Sequence, residues 1–223
     1  FYGLSERAAA VLEEGAHHIF EFASHEPRWD GRWTFVAFSV PEERRHVRPL
    51  LRTRLRWLGF APLYDGLWVS PHPPPPALTD ALAELDVASF TVVVGEAIPH
   101  AGAVDPISAW NLDGLRADYD AFVARFAPLR TRVRSGAVTL AEGLVARTEI
   151  MDSWRNMPSL EPELPVELLP QGWPRGDARA LFIEVYDALG PVAEARVREI
   201  LQRFAPELAA LVTHHTDVRL ATP

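Results

Sequence analysis

The residues with the most chemistry to offer are arginines. Arg44, Arg48, Arg52 and Arg56 recur at every fourth position, with Arg45 and Arg54 beside them. Four residues advance an α-helix by a little more than one turn. On a single helix the row therefore drifts slowly round one side, next to the apolar repeat Leu51, Leu55 and Leu58. Guanidinium groups in a row suit phosphate, because each planar fork holds several donors in fixed geometry and stays charged. The plainer alternative is a solvated helix edge, whose arginines pair with acids and lay their stems on the core. Tryptophan is the second signal, with seven in the chain. Trp33, Trp57 and Trp68 fall where a sheet module would pack, and Trp110, Trp154 and Trp173 fall at joints of the later half. Indole offers a large flat contact and one donor, which serves packing and aromatic ligands alike.

Other constellations point to no reaction. The chain has no glycine-rich phosphate loop, no nucleophile elbow and no paired-histidine zinc motif. His17 and His18 are neighbours on a helix and diverge by about 100 degrees, so they read as solvent-facing. His214 and His215, near the end, read as mobile rather than ligating. Glu42-Glu43 and Glu161–Glu163 resemble solvated caps and turns, which leaves no acid and base pair to nominate. With no cysteine, disulfides and thiolate metal sites are excluded. The expectation is a protein without enzymatic activity, metal or cofactor. A net charge of −8 argues against a polyanion-coating surface, and no apolar run is long enough to span a bilayer. The chain opens Phe1-Tyr2-Gly3 without methionine, which reads as a start inside a longer protein.

These residues need elements to hold them. Trp33 to Val40 is an aromatic and β-branched run ending at Pro41, a buried strand. A helix follows. Because Pro49 falls inside it, either the helix opens at Pro41 and kinks at Pro49, or residues 41–48 form a separate turn and the main helix starts at Pro49. The second reading is preferred, since proline fits a first helical position, and the helix stops at Gly59. Phe60 to Val69 then switches to a period of two and turns at Asp65-Gly66. Leu78 to Leu85 is a short amphipathic helix, and Ser89 to Gly95 a final strand. This order predicts an α+β protein: a ferredoxin-like (split β-α-β) antiparallel sheet domain over 25–100, then an all-α C-terminal domain over 101–223. In the latter, Leu115, Tyr119, Phe122 and Phe126 form an apolar stripe, as do Leu181, Phe182, Val185 and Leu189. Met157 to Pro174 carries five prolines and is expected to run along the surface between helices.

Trp33 to Val40, the arginine-rich Glu43 to Trp57, and Leu58-Gly59-Phe60 running into Gly66-Leu67-Trp68-Val69-Ser70-Pro71 resemble the central domain of PaaX-type transcriptional repressors. Leu164-Pro165-Val166-Glu167-Leu168-Leu169-Pro170-Gln171-Gly172-Trp173-Pro174 is similar to that family's closing domain. Tyr2 to Phe20 looks like the wing strand and linker helix that end its winged helix-turn-helix, so residues 1–24 are identified as the remnant of that domain. The resemblance implies a cytoplasmic repressor of phenylacetic acid catabolism type, a homodimer, binding operator DNA through an N-terminal winged helix. Tyr2 and Arg7 would then touch DNA backbone phosphate. It further implies an acyl- or aryl-coenzyme A effector held between the two later domains, with Arg48, Arg52 and Arg56 on phosphates and Trp68, Trp154 and Trp173 around the acyl group. Arg147, Arg155 and Arg175 stand in reserve. The central domain is also similar in plan to a small CRISPR-adaptation nuclease, so a metal-dependent nuclease is one alternative and a ligand-free dimerisation scaffold another. The nuclease needs a carboxylate at the end of the first strand, where this chain has Ser39-Val40-Pro41.

Overall fold

The structure is a computed structural model and describes residues 5, 15–16, 19–85, 87, 89–98 and 100–216, with 159 by its backbone alone. The chain divides into two compact units, and neither is continuous in sequence. A sheet unit comprises residues 26–115 and 159–172, and a helical unit comprises 1–25, 116–158 and 173–223.

In the sheet unit, β1 (Trp33–Ser39) is central. It pairs antiparallel with β3 (Leu67–Ser70) on one side and β4 (Ser89–Gly95) on the other, and β2 (Ala61–Tyr64) completes the order β2-β3-β1-β4. Two helices, α1 (Arg48–Trp57) and α2 (Ala77–Glu84), fall after β1 and β3. That is the split β-α-β plan, antiparallel throughout. Residues opposite one another share a face, so the pair Val36↔Trp68 fixes which side is apolar. Leu51 and Leu55 of α1 and Leu78 and Leu82 of α2 close over it, all essentially sealed from water.

Local chemistry sets the breaks. A 3-10 turn over Glu42–Val47 precedes α1, whose second residue is Pro49, so no helical hydrogen bond is lost to the proline. Gly59, at φ +80°, ends α1 in the left-handed region. Gly66 is required twice over: its φ is +75°, and a Cβ there would lie 2.8 Å from the Phe38 carbonyl, while its own carbonyl accepts from Phe38 N–H at 2.8 Å. On the other face of the sheet, Trp33 stacks on Trp110 and meets Trp29 edge-on.

Three expectations about this unit need revision. Trp57 is not packed but 71% exposed, since two residues past Leu55 it points away from the sheet. Glu161 is completely buried and engaged, not a solvated turn residue. The proline-rich stretch is no mere surface strap: Leu164 is buried, and the His72 ring bonds the Pro162 carbonyl at 2.9 Å.

The helical unit is built from α3 (Leu112–Arg134), α4 (Leu140–Trp154), α5 (Arg175–Ala188) and α6 (Gly190–Phe204). Its core is strongly aromatic. Trp154 stacks on Phe182 with centroids 4.8 Å apart and planes at 10°, and Phe20, Phe22, Tyr119, Phe122 and Phe126 surround them. α4 and α6 pack closely at Gly143, where a Cβ would fall 2.4 Å from Val192. α4 begins with a capping box: Thr139 Oγ1 accepts from Glu142 N–H, and the Glu142 carboxylate accepts from Thr139 N–H.

Candidate functional site

α1 turns its leucines to the sheet, and the same winding carries its arginines to the rim where β1 ends. A cleft of about 260 Å³ opens there, lined by Ser39, Val40, Arg48, Arg52, Asp65 and Trp68 among others. Arg48 Nη2 donates to the Val40 carbonyl and to Glu42 Oε2, each at 3.0 Å. Arg52 faces Asp65 at 3.6 Å across the mouth, and both side chains are exposed. Arg56 lies over the Trp68 ring at 5.7 Å from its centroid, a cation–π contact with an indole that is itself core. Arg45 and Arg54, off the cleft, pair with Glu42 and Glu84.

Each arginine of the row has a partner in the structure. Arg48 and Arg52 have carboxylate partners, but those partners are solvated, and exposed pairs of this kind contribute only about 0–1 kcal/mol. An incoming phosphate, with more negative charge and three acceptor oxygens, can displace them at small cost. The cleft has room for a phosphate group.

The remaining site candidates lie elsewhere. Tyr2 and Arg7 fall outside the described residues, as do His17 and His18. Trp154 is sealed in the helical core and spends its indole N–H on the Ile19 carbonyl at 3.1 Å, leaving no free face. Trp173, in the same unit, is half-buried; Arg116 stands over its ring at 5.3 Å and Tyr119 meets it edge-on. Arg116 was not legible beforehand, because nothing local in sequence connects it with Trp173. Arg147 covers the Tyr186 ring and donates to the carbonyls of Tyr186 and His215. Arg155 pairs with Asp152, and Arg175 is buried and engaged. His214 is held rather than loose: its Nδ1 and Glu194 Oε2 are 2.5 Å apart. That bond, with Arg198 adding to it, lowers the Glu194 carboxyl from its ordinary range.

The end of β1 carries Ser39 and no carboxylate, and no group of three His, Asp or Glu arranged to hold a metal occurs among the described residues. No helix among them is long and apolar enough to cross a membrane.

Comparison with known proteins agrees with this architecture. A family model described as the PaaX protein central Cas2-like domain matches residues 26–105, and one described as the PaaX-like protein C-terminal domain matches residues 110–199. The chain is 27% identical over 217 residues to the transcriptional repressor PaaX of Escherichia coli, covering 94% of this chain and 67% of that one. Its fold is similar to that of an uncharacterized protein of Mycobacterium tuberculosis, with a TM-score of 0.60 at 19% identity, over 88% of this chain and 75% of the other. Sheet unit and helical unit thus each match a part of one family, in the family's order. The chain belongs to the PaaX family of transcriptional repressors.

Proposed function

We propose that the protein is a cytoplasmic, homodimeric repressor that binds operator DNA through a winged helix N-terminal to the two described units and releases it on binding an acyl- or aryl-coenzyme A. The observation that carries the effector reading is the cleft at the end of β1, with Arg48 and Arg52 on its rim, each paired with a solvated carboxylate and Arg48 also anchored on the Val40 carbonyl. A phosphate of the coenzyme replaces Asp65 and Glu42 there, and Arg56 adds a third positive charge along the same helix face. Trp173, on the helical unit, is proposed separately as a contact for an aryl group, while Trp68 and Trp154 serve as cores. Tyr2 and Arg7 are proposed to touch operator phosphates, orienting the protein without reading bases.

The chain carries out no catalytic step in this reading. Effector binding acts by population shift, favouring a dimer whose winged helices no longer match the half-site spacing. The test is intrinsic tryptophan fluorescence titrated with phenylacetyl-coenzyme A and with coenzyme A alone. Both should bind, weakening as salt is raised, and Arg48→Ala with Arg52→Ala should lose roughly tenfold or more in affinity, the scale of a charge-assisted hydrogen bond. A flat titration supports the scaffold instead. Incubation with RNA and DNA plus magnesium should leave both intact, and cleavage abolished by chelation would support the nuclease.

A further inference from the structure

The proline-rich segment 159–172 belongs to the sheet unit, although the chain on both sides of it belongs to the helical unit. It sits on the two elements that build the arginine cleft. At the end of β3, the His72 ring bonds the Pro162 carbonyl at 2.9 Å; a carbonyl only accepts, so Nε2 carries the proton. His72 is itself fixed at its backbone. Thr34 Oγ1, on a buried residue, donates to its carbonyl at 2.7 Å, and Ser70 Oγ accepts from its N–H at 3.3 Å. Just past α1, Gly59 lets the segment come close, for a Cβ there would lie 3.4 Å from Pro162 Cβ. Glu161 and Leu164 are sealed from water. Between them Glu163 is held at φ +50°, in the left-handed region that a glutamate rarely takes. A strained residue persists only where its surroundings over-determine it, so this backbone relaxes when its seat is lost.

We propose that segment 159–172 is a two-state clasp, seated on His72, that couples anion occupancy of the arginine cleft to the helical unit. This rests on the effector reading above and adds how that site is regulated. Cleft and seat share their supports. β3 begins at Leu67, beside the Asp65-Gly66 turn of the cleft wall, and ends at Ser70 next to the seat, with Trp68 and Val69 buried between. α1 carries Arg48, Arg52 and Arg56 and stops just before Gly59, which packs on Pro162. With the clasp seated, both elements are pinned at their far ends and the arginines are held in array. An anion bound to that array favours the seated form, and by linkage the seated form favours the anion. The clasp ends at Gly172, joined directly to Trp173, so a change in seating reaches the helical unit through the chain itself. His72 is a positioning residue here, because it touches Pro162 rather than the anion.

Hydrogen–deuterium exchange of the full chain, with and without coenzyme A, reads the clasp directly. In wild type, saturating coenzyme A should slow exchange across residues 159–172 by roughly fivefold or more, the lower end of ordinary coupling between sites. His72→Ala should speed that exchange in the free protein and abolish the slowing. By reciprocity it should also weaken coenzyme A binding by roughly the same factor, with Arg48 and Arg52 intact. His72→Gln, whose amide N–H can reach the same carbonyl, should restore both responses. A histidine with a merely structural role would change exchange in the free protein and leave the coenzyme A response in place. Coenzyme A that binds without altering exchange of 159–172, or that binds His72→Ala as it binds wild type, overturns the clasp alone and leaves the effector reading standing. Failure of wild type to bind coenzyme A overturns the clasp together with that reading.

Discussion

Arginine is put to two uses in this protein, and the two units supply examples of each. On α1 of the sheet unit, Arg45, Arg48, Arg52 and Arg54 meet carboxylates in the open, where solvent screens each pair and a competing anion can replace the partner. In the helical unit Arg125 and Arg134 likewise meet exposed carboxylates, whereas Arg147, Arg179 and Arg198 also reach main-chain carbonyls, as Arg48 does at Val40 in the sheet unit. Arg179 bonds Phe22 and Phe20, Arg147 bonds Tyr186 and His215, and Arg198 bonds Val212. A guanidinium given to carbonyls ties one chain segment to another, and removing it strands acceptors that have lost water. The difference teaches that charge count alone says little about binding. What matters is whether the existing partner can leave.

The sharpest way to break the comparison is to strip the helical unit of its aromatic centre. Trp154→Ala should lower stability by about 3–5 kcal/mol, measured by urea unfolding, because a large cavity opens beside Phe182. Arg179→Ala should follow at roughly 1.5–3 kcal/mol, the scale of hydrogen bonds to a charged group. A loss as small as that of an exposed pair would mean that the helical arginines staple nothing. Thr139→Ala should cost about 0.5–2 kcal/mol through the α4 cap.

The same cap predicts a pH dependence. The backbone N–H of Thr139, then Arg132 and the Thr139 hydroxyl, hold the Glu142 carboxyl down to about 2 from 4.5. A depressed folded pKa contributes stability that is present above the ordinary value and lost as pH falls through the folded one. Thermal melts between pH 4.5 and 2 should therefore show a steeper loss for wild type than for Glu142→Gln. The smallest effect on stability belongs to the sheet unit: Arg52→Ala should stay within about 0.5 kcal/mol of wild type, as exposed substitutions do, while anion affinity falls. An unaltered affinity would place the phosphate away from this row.

Much of the sheet unit was legible because its signals are local. The change of period after Gly59, the Asp65-Gly66 turn and the β-branched run at Thr91–Val94 lie within a few residues of the features they decide. The orientation of Trp57 was misread from its residue type, whereas the helical angle gives it: about 200 degrees past Leu55 faces water. By the same reasoning Trp154, four residues after the buried Ile150, belongs to the core. The partners of the arginines were not legible. Asp65 and Glu84 come to α1 from other elements, and Arg116 meets Trp173 from a different helix.

By itself the sequence determined the elements, their order and the apolar faces that fold them, since periodicity, proline and glycine act over one or two turns of chain. It also determined the family resemblance, carried by contiguous motifs. Only the tertiary structure decided which arginines keep an exchangeable partner, that Glu161 is buried, and that Pro162 is seated on His72. Those outcomes depend on groups far apart in sequence meeting in space, and short-range interactions along the chain carry no record of such meetings.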